Sequence, residues 1–252
     1  MILLAYATTA FVKLPTRTVN LQLPGFLLVL RFNFSTLVAA ASAIFAAAGS
    51  DWILSGHPKA VPKTRWQHWL VPAFSAVAIG ISLGTLPLGA TWWIVFAFGA
   101  ILLAGILSVE YISADPEDLR YSFAVLGLDA VSYTLFLIIV LSISGAGYRL
   151  YLLLAAVIPT VFLITSRSLF LHTGGKWLFV WSAAITLIIA QIAAAMFYLP
   201  LLPVQYSLIL LGLFYGLLNL AHNIEARLTG RALWLEPVAM TVFFMTIGFL
   251  LG

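Results

Sequence analysis

Eight apolar segments, each about twenty residues long and separated by short polar connections, are the feature that most constrains the fold of this chain. An α-helix needs about 20 apolar residues to cross the hydrocarbon core of a bilayer, because each residue adds about 1.5 Å. We therefore predict an all-α integral membrane protein built as a bundle of about eight transmembrane helices. The segments lie at roughly 34–55, 69–88, 90–112, 120–144, 148–170, 176–199, 203–221 and 233–251.

The composition of the chain agrees with membrane insertion. Of 252 residues, 63% are hydrophobic and 8% are charged, whereas charged residues make up about a quarter of a soluble domain. The basic residues are scattered over several connections, so they do not form the basic surface of a nucleic-acid-binding protein. The chain has no cysteine, which excludes disulfides and thiolate chemistry. The partner that the composition predicts is the lipid bilayer.

The first 33 residues precede the apolar segments and do not form a span. Between residues 18 and 34 the side chains follow a period of two, and Pro24-Gly25 separates the two halves. This pattern is typical of a β-hairpin. An extended, bent lead-in to the first helix is the alternative. We predict a β-hairpin or interfacial segment at 1–33 and a single transmembrane helical domain at 34–252.

Small residues indicate where neighbouring helices approach closely. The second segment contains Gly80-x-x-x-Gly84 and the seventh contains Gly212-x-x-x-Gly216. Lipid offers no hydrophobic drive for helix association, so close packing decides which helices associate. We interpret both motifs as packing signals. Pro159, in the middle of the fifth segment, predicts a kink in that helix.

The distribution of basic residues predicts the orientation. Four lysines and arginines lie on the amino-terminal side of the eight-span arrangement, and eight lie on the other side. Cytoplasmic loops carry an excess of these residues. We therefore predict a multi-pass protein of the bacterial cytoplasmic membrane with both termini outside.

Polar residues that could carry chemistry are concentrated at the ends of the apolar segments, most densely at 219–237. Asn219, His222 and Glu225 lie three residues apart on one helix face. His222 and Glu225 could share a metal ion, but such sites need several matching pairs, and we favour a hydrogen-bonded helix end. We expect no cofactor. The candidate polar site comprises Asp51, Glu110, Asp129, Arg167, Asn219, His222, Glu225 and Arg227.

Asp129 lies inside an apolar segment, about 13 Å from Arg120 at 1.5 Å per residue. An ionised carboxylate at such a depth costs several kcal/mol unless it has partners. Ser122, Ser132 and Tyr133 share its helix face, so we expect this face in the interior of the bundle. Two interpretations stay open: a proton-relay or substrate-binding carboxylate, and a structural aspartate hydrogen-bonded to neighbouring helices.

The run G-S-D-W-I-L-S-G-H-P at residues 49–58, which follows L-Q-L-P-G-F, resembles an uncharacterised bacterial family of polytopic membrane proteins. The resemblance implies a fold and a membrane location. It transfers no catalytic residues, because that family has no assigned activity.

Three hypotheses about function remain open. The first is a protein that binds or processes an anionic lipid or isoprenoid-phosphate head group at the cytoplasmic leaflet, because Arg167, Arg227 and Arg231 lie at the head-group level and a guanidinium suits phosphate. The second is a structural or assembly subunit that docks a protein partner on its cytoplasmic face. The third is a proton-coupled transporter of a small solute, in which Asp129 titrates. The sequence does not decide whether the protein is an enzyme.

Overall fold

Eight long apolar helices dominate the computed structural model, which describes residues 2–12, 17–23, 26–32, 34–58, 62–147 and 149–251. Within this part of the chain, eight helices are long and apolar enough to cross a membrane. By length and composition the chain is a multi-pass helical membrane protein, as the apolar segments predict. The helices are α1 (Ile2–Phe11), α2 (Phe34–Ser55), α3 (Leu70–Thr85), α4 (Ala90–Ile112), α5 (Tyr121–Gly145), α6 (Leu150–His172), α7 (Phe179–Phe197), α8 (Pro203–Glu225) and α9 (Arg231–Leu250).

Each predicted apolar segment corresponds to one helix from α2 to α9, with boundaries that differ by at most four residues. A 3-10 helix at Pro62–Trp69 precedes α3. The apolar pattern does not predict α1, because its ten residues, about 15 Å long, are too short to stand out as a span. The bacterial membrane and the orientation of the termini stay predictions.

Two antiparallel strands lie between α1 and α2. They are β1 (Arg17–Leu23) and β2 (Phe26–Phe32), and they pair along their whole length. The turn of the predicted hairpin, at Pro24 and Gly25, lies outside the described residues. The spanning helices, and not these strands, determine the fold.

The chain divides into two compact units. Unit 1 is Met1–Ala124 and unit 2 is Val125–Gly252. The boundary falls within the first turn of α5, so no linker marks it in the sequence. The single transmembrane helical domain at 34–252 stays a prediction.

In unit 1, α2 packs against α1, α3 and α4. Gly80 of α3 lies at a close approach to α2, because a Cβ at this position would lie 2.9 Å from the Cβ of Ala39 in α2. The Tyr6 hydroxyl of α1 donates a hydrogen bond to the backbone oxygen of Ala76 in α3. Burial raises the pKa of Tyr6 to about 12. Gly80 therefore marks a close contact between helices, as its motif predicts.

In unit 2, α8 packs against α6, α7 and α9. Gly212 and Gly216 form its contact with α9. A Cβ at position 212 would lie 2.7 Å from the Cβ of Phe244, and a Cβ at position 216 would overlap the Thr241 hydroxyl. That hydroxyl donates to the Pro237 oxygen at 2.8 Å and lies 3.0 Å from the Gly212 oxygen. The second glycine motif therefore also marks a helix contact.

Pro237 lies inside α9, six residues after the helix begins at Arg231. A proline inside a helix cannot donate to the carbonyl four residues earlier, which in α9 is the carbonyl of Leu233. The Asn223 Nδ2 of α8 donates to this Leu233 oxygen at 3.1 Å. A side chain of the neighbouring helix thus satisfies the carbonyl that the proline leaves without a helical donor.

We expect Gly216→Ala to destabilise unit 2 by about 1–3 kcal/mol, because the new Cβ forces α9 away from α8. Gly105→Ala in α4 is the matched control, since a Cβ there meets no atom within 4 Å. The control should leave the stability unchanged or raise it slightly. Thermal unfolding of the two variants in detergent measures the difference. Equal unfolding midpoints would show that close contact at Gly216 does not hold α9 against α8.

Candidate functional site

Polar side chains from three spanning helices of unit 2 meet around Ser168. Asp129 comes from α5, Ser168 and His172 from α6, and His222 from α8; we call these four residues the central polar cluster. The Ser168 Oγ donates to Asp129 Oδ1 at 2.7 Å and lies 3.4 Å from His222 Nε2. The serine hydroxyl therefore connects a carboxylate with an imidazole.

His172 is the outermost member of the central polar cluster. It is the last residue of α6, and its spacing of four from Ser168 places both side chains on one helix face. Its Nε2 lies 3.6 Å from Asp129 Oδ2, and its ring stacks on His222 with centroids 4.1 Å apart. The His172 side chain is 33% exposed, whereas that of Asp129 is 15% exposed. His172 thus extends the cluster to the surface of unit 2.

Arg167 adds a positive charge beside the cluster. It precedes Ser168 in α6 and is only 2% exposed. Its guanidinium interacts electrostatically with the Asp129 carboxylate. A buried cation within a spanning helix needs such a partner, so Arg167 and Asp129 stabilise each other. Of the sequence-predicted residues, Asp129 and His222 therefore belong to the central polar cluster, and Arg167 lies next to Ser168 in the chain.

The hydrogen-bond pattern around His172 accommodates an additional proton. The His172 Nδ1 lies 3.0 Å from the Ser168 backbone oxygen. A carbonyl oxygen only accepts hydrogen bonds, so Nδ1 carries the hydrogen in this contact. A neutral His172 then presents the lone pair of Nε2 to the Asp129 carboxylate. A proton on either His172 Nε2 or Asp129 Oδ2 removes this repulsion between lone pairs.

The Ser168 hydroxyl can point in either of two directions. It has one hydrogen, so it cannot donate to Asp129 and to His222 at the same time. When Asp129 is ionised, Ser168 donates to the carboxylate, and His222 Nε2 supplies the hydrogen for its own contact with Ser168. When Asp129 is protonated at Oδ1, the carboxyl group donates to Ser168 and the hydroxyl turns to His222. The second pattern contains a proton on Asp129 that the first lacks, and it requires a neutral His222 to carry its hydrogen on Nδ1 instead of Nε2.

A second hydrogen-bonded chain begins one turn away on α8. The Asn219 Nδ2 donates to the Tyr215 hydroxyl at 3.4 Å, and this hydroxyl donates to Glu236 Oε1 at 3.1 Å. The Tyr215 ring packs against Tyr133 of α5, with ring centroids 5.1 Å apart. Tyr133 lies one turn from Asp129 on the same helix. Tyr133 of the predicted α5 stripe therefore packs on α8 within unit 2, whereas Ser122 of the same stripe is exposed and lies in unit 1.

The trio of Asn219, His222 and Glu225 does not share a ligand position. Each has a different partner, and Glu225 Oε1 accepts from the Trp181 Nε1 of α7 at 2.8 Å. Arg227 is exposed in the turn after α8, with a φ of 56°. In the part of the chain that the structure describes, no group of three or more His, Asp or Glu side chains could hold a metal ion.

The two remaining candidate residues, Asp51 and Glu110, lie in unit 1. Glu110 Oε2 lies 2.6 Å from His68 Nδ1, and the side chains of this pair are 1% and 7% exposed. Asp51 Oδ1 accepts from Trp69 Nε1 at 3.3 Å. Two adjacent residues, His68 and Trp69, therefore hold the two carboxylates of α2 and α4.

The sequence matches the family described as protein of unknown function (DUF5656) over residues 14–251. The chain belongs to the DUF5656 family. This result confirms the expectation of a family without an assigned activity. No curated protein and no solved structure matches the chain. The function of this DUF5656 protein is therefore argued from the geometry of its polar residues.

Sequence reasoning did not select three residues that complete the polar networks of this DUF5656 protein, namely Ser168, His172 and Tyr215. For each of these residues, the spacing from a neighbouring polar residue in the sequence indicated a shared helix face. Ser168 follows Arg167 and precedes His172 by four residues, and Tyr215 precedes Asn219 by four residues. Residues four apart share a helix face, so the polar faces of α6 and α8 could have been recognised. The sequence gives no indication that these two polar faces pack against α5.

Proposed function

We propose that unit 2 contains a proton-transfer site and that the protein is a proton-coupled transporter of a small solute. The observation that supports this proposal is the position of the Ser168 hydroxyl between the Asp129 carboxylate and the His222 imidazole. Ionisable residues within spanning helices commonly form ion pathways and proton relays. A structural aspartate needs only hydrogen-bond donors, whereas Asp129 also lies 3.6 Å from the His172 Nε2.

The surroundings of the central polar cluster suit a site that opens to one side at a time. The partly exposed His172 gives protons access from the end of α6. In the other direction, Phe136 and Val140 of α5 pack with Phe214 of α8 in the apolar core of unit 2. Phe136 lies about 10 Å from Asp129 along α5, at 1.5 Å per residue. Solute passage past this core requires a second arrangement of the helices, as alternating access does.

We expect Asp129→Asn to reduce proton uptake into proteoliposomes by about tenfold or more, because the amide cannot accept and release the relayed proton. A potassium gradient with valinomycin drives the uptake, and an entrapped pH-sensitive dye measures it. Asp118→Asn is the matched control, since it makes the same chemical change in the exposed connection before α5.

The control variant should take up protons at the wild-type rate. Size-exclusion chromatography of each variant verifies that it folds like the wild type. If Asp129→Asn folds normally and conducts protons as fast as the wild type, the proposed relay role of Asp129 is wrong.

Binding of an anionic lipid or isoprenoid-phosphate head group is a second candidate function, supported by Arg227 and Arg231. Arg227 lies in the turn after α8 and Arg231 is the first residue of α9, and both are exposed. The neighbouring Leu228 and Trp234 are exposed as well. Guanidinium groups bind phosphate oxygens in pairs, and tryptophan is enriched at the level of lipid head groups. This end of unit 2 therefore has the composition of a surface that contacts anionic lipid.

For this second function, we expect the double variant Arg227→Gln/Arg231→Gln to retain less phosphatidylglycerol after purification. The loss should be about fivefold for each arginine, because a basic residue near an anionic surface contributes about 1 kcal/mol. Mass spectrometry of the extracted lipids measures the retained amount. Equal amounts in the wild type and the double variant would contradict this candidate.

A further inference from the structure

Glu236 is an acidic residue inside the last spanning helix, α9. It lies five residues after the helix begins at Arg231, which is about 7.5 Å along the helix at 1.5 Å per residue. Glu236 is exposed, as are the nearby apolar residues Leu235 and Val238. Acidic residues are rare in spanning segments and usually have a functional reason. The proton-transfer site proposed above does not use Glu236.

Hydrogen bonds from α8 hold the Glu236 carboxylate. The Tyr215 hydroxyl donates to Glu236 Oε1 at 3.1 Å, and the Asn219 Nδ2 donates to the same hydroxyl at 3.4 Å. The Tyr215 hydroxyl has only one hydrogen, so its bond to Glu236 leaves it none for a ligand. Among the residues that the structure describes, none forms a hydrogen bond with Glu236 Oε2. An ionised Glu236 therefore presents to a ligand an oxygen that only accepts hydrogen bonds.

The surroundings of Glu236 favour a cation. In the described part of the chain, no basic side chain forms an ion pair with this carboxylate. Aromatic rings lie next to it instead, because the Tyr215 ring packs with Tyr133 and Phe244 at centroid distances of 5.1 Å and 6.3 Å. Ammonium groups are attracted both to carboxylates and to the faces of aromatic rings. The composition of this place therefore suits an organic cation.

The same tyrosines connect Glu236 with Asp129. Both carboxylates interact electrostatically with the hydroxyl groups of Tyr133 and Tyr215. A cation at Glu236 and a proton at Asp129 each add positive charge beside this pair of tyrosines. Each therefore weakens the binding of the other, since coupling between two sites is reciprocal. Exchange of a proton for a cation needs a coupling of this sign.

We propose that the solute of the transporter is a small organic cation and that Glu236 binds its ammonium group beside the rings of Tyr215 and Tyr133. This inference rests on the proposed transport function, to which it adds a class of solute and a binding residue. An ammonium group donates hydrogen bonds and accepts none, so it matches Glu236 Oε2. An anionic solute would instead be repelled by the charge of Glu236.

Equilibrium dialysis of the purified full-length protein with radiolabelled n-butylamine tests this inference at about pH 7.5, where the amine is protonated. We expect saturable binding to the wild type. The affinity of Glu236→Gln should be about tenfold lower, because the amide has no charge to pair with the ammonium group. Glu117→Gln makes the same change at an exposed position before α5 and should bind like the wild type. Radiolabelled butyrate, which has the same chain length and the opposite charge, should not bind.

A second pair of variants tests whether Tyr215 positions the carboxylate. Tyr215→Phe keeps the ring and removes the hydroxyl that donates to Glu236, so the affinity for butylamine should fall about threefold. Tyr198→Phe makes the same change at an exposed residue and should have no effect. Size-exclusion chromatography verifies that each variant folds like the wild type.

Two results would overturn the inference. One is equal butylamine affinity in the wild type and a folded Glu236→Gln variant. The other is displacement of butylamine by an equal concentration of sodium chloride, because the site would then bind small inorganic cations.

Binding is measured without a proton gradient, so this inference and the proposed function can fail separately. Butylamine binding by a protein that takes up no protons would contradict the transporter and leave the cation site in place. Proton uptake that depends on Asp129, without butylamine binding, would contradict only the cation site.

Discussion

The position of the Asp129 carboxylate among apolar spanning helices imposes the strongest physical constraint on unit 2. An ionised group at this depth costs several kcal/mol unless neighbouring groups compensate for it. The Ser168 hydroxyl, the His172 ring and the buried Arg167 provide that compensation from α6. The contact between Ser168 and His222 then ties α8 to the same point. The close packing of α9 on the glycines of α8 extends this arrangement across unit 2.

The same constraint determines which arrangements of hydrogens the central polar cluster can adopt. The Asp129 carboxylate and the His222 imidazole both contact the Ser168 hydroxyl, and no single placement of hydrogens satisfies both contacts in both charge states of Asp129. A change in protonation must therefore be accompanied by a rotation of the Ser168 hydroxyl. The proposed transport function requires that such a change alter the packing of α5, α6 and α8.

The features that repeat along single helices could be predicted from the sequence. The spans follow from runs of about twenty apolar residues. Gly80, Gly212 and Gly216 indicate close helix contacts because each belongs to a pair of glycines four residues apart, on one face of its helix. Contacts between distant positions could not be predicted. Asn219, His222 and Glu225 share a face of α8, yet their partners lie on three different neighbours. The bond from Asn223 to the Leu233 carbonyl depends on the packing of α8 with α9, and the pair of His68 and Glu110 joins positions 42 residues apart.

Infrared difference spectroscopy of the protein in lipid nanodiscs tests most directly whether Asp129 exchanges a proton. The spectra are recorded between about pH 4 and about pH 9, the range in which carboxyl groups and imidazoles titrate. We predict a carbonyl band of a protonated carboxyl group that appears on acidification, shifts in frequency in Ser168→Ala because a hydrogen bond is lost, and is absent from Asp129→Asn. A spectrum in which Asp129→Asn is identical to the wild type across this range would contradict the account.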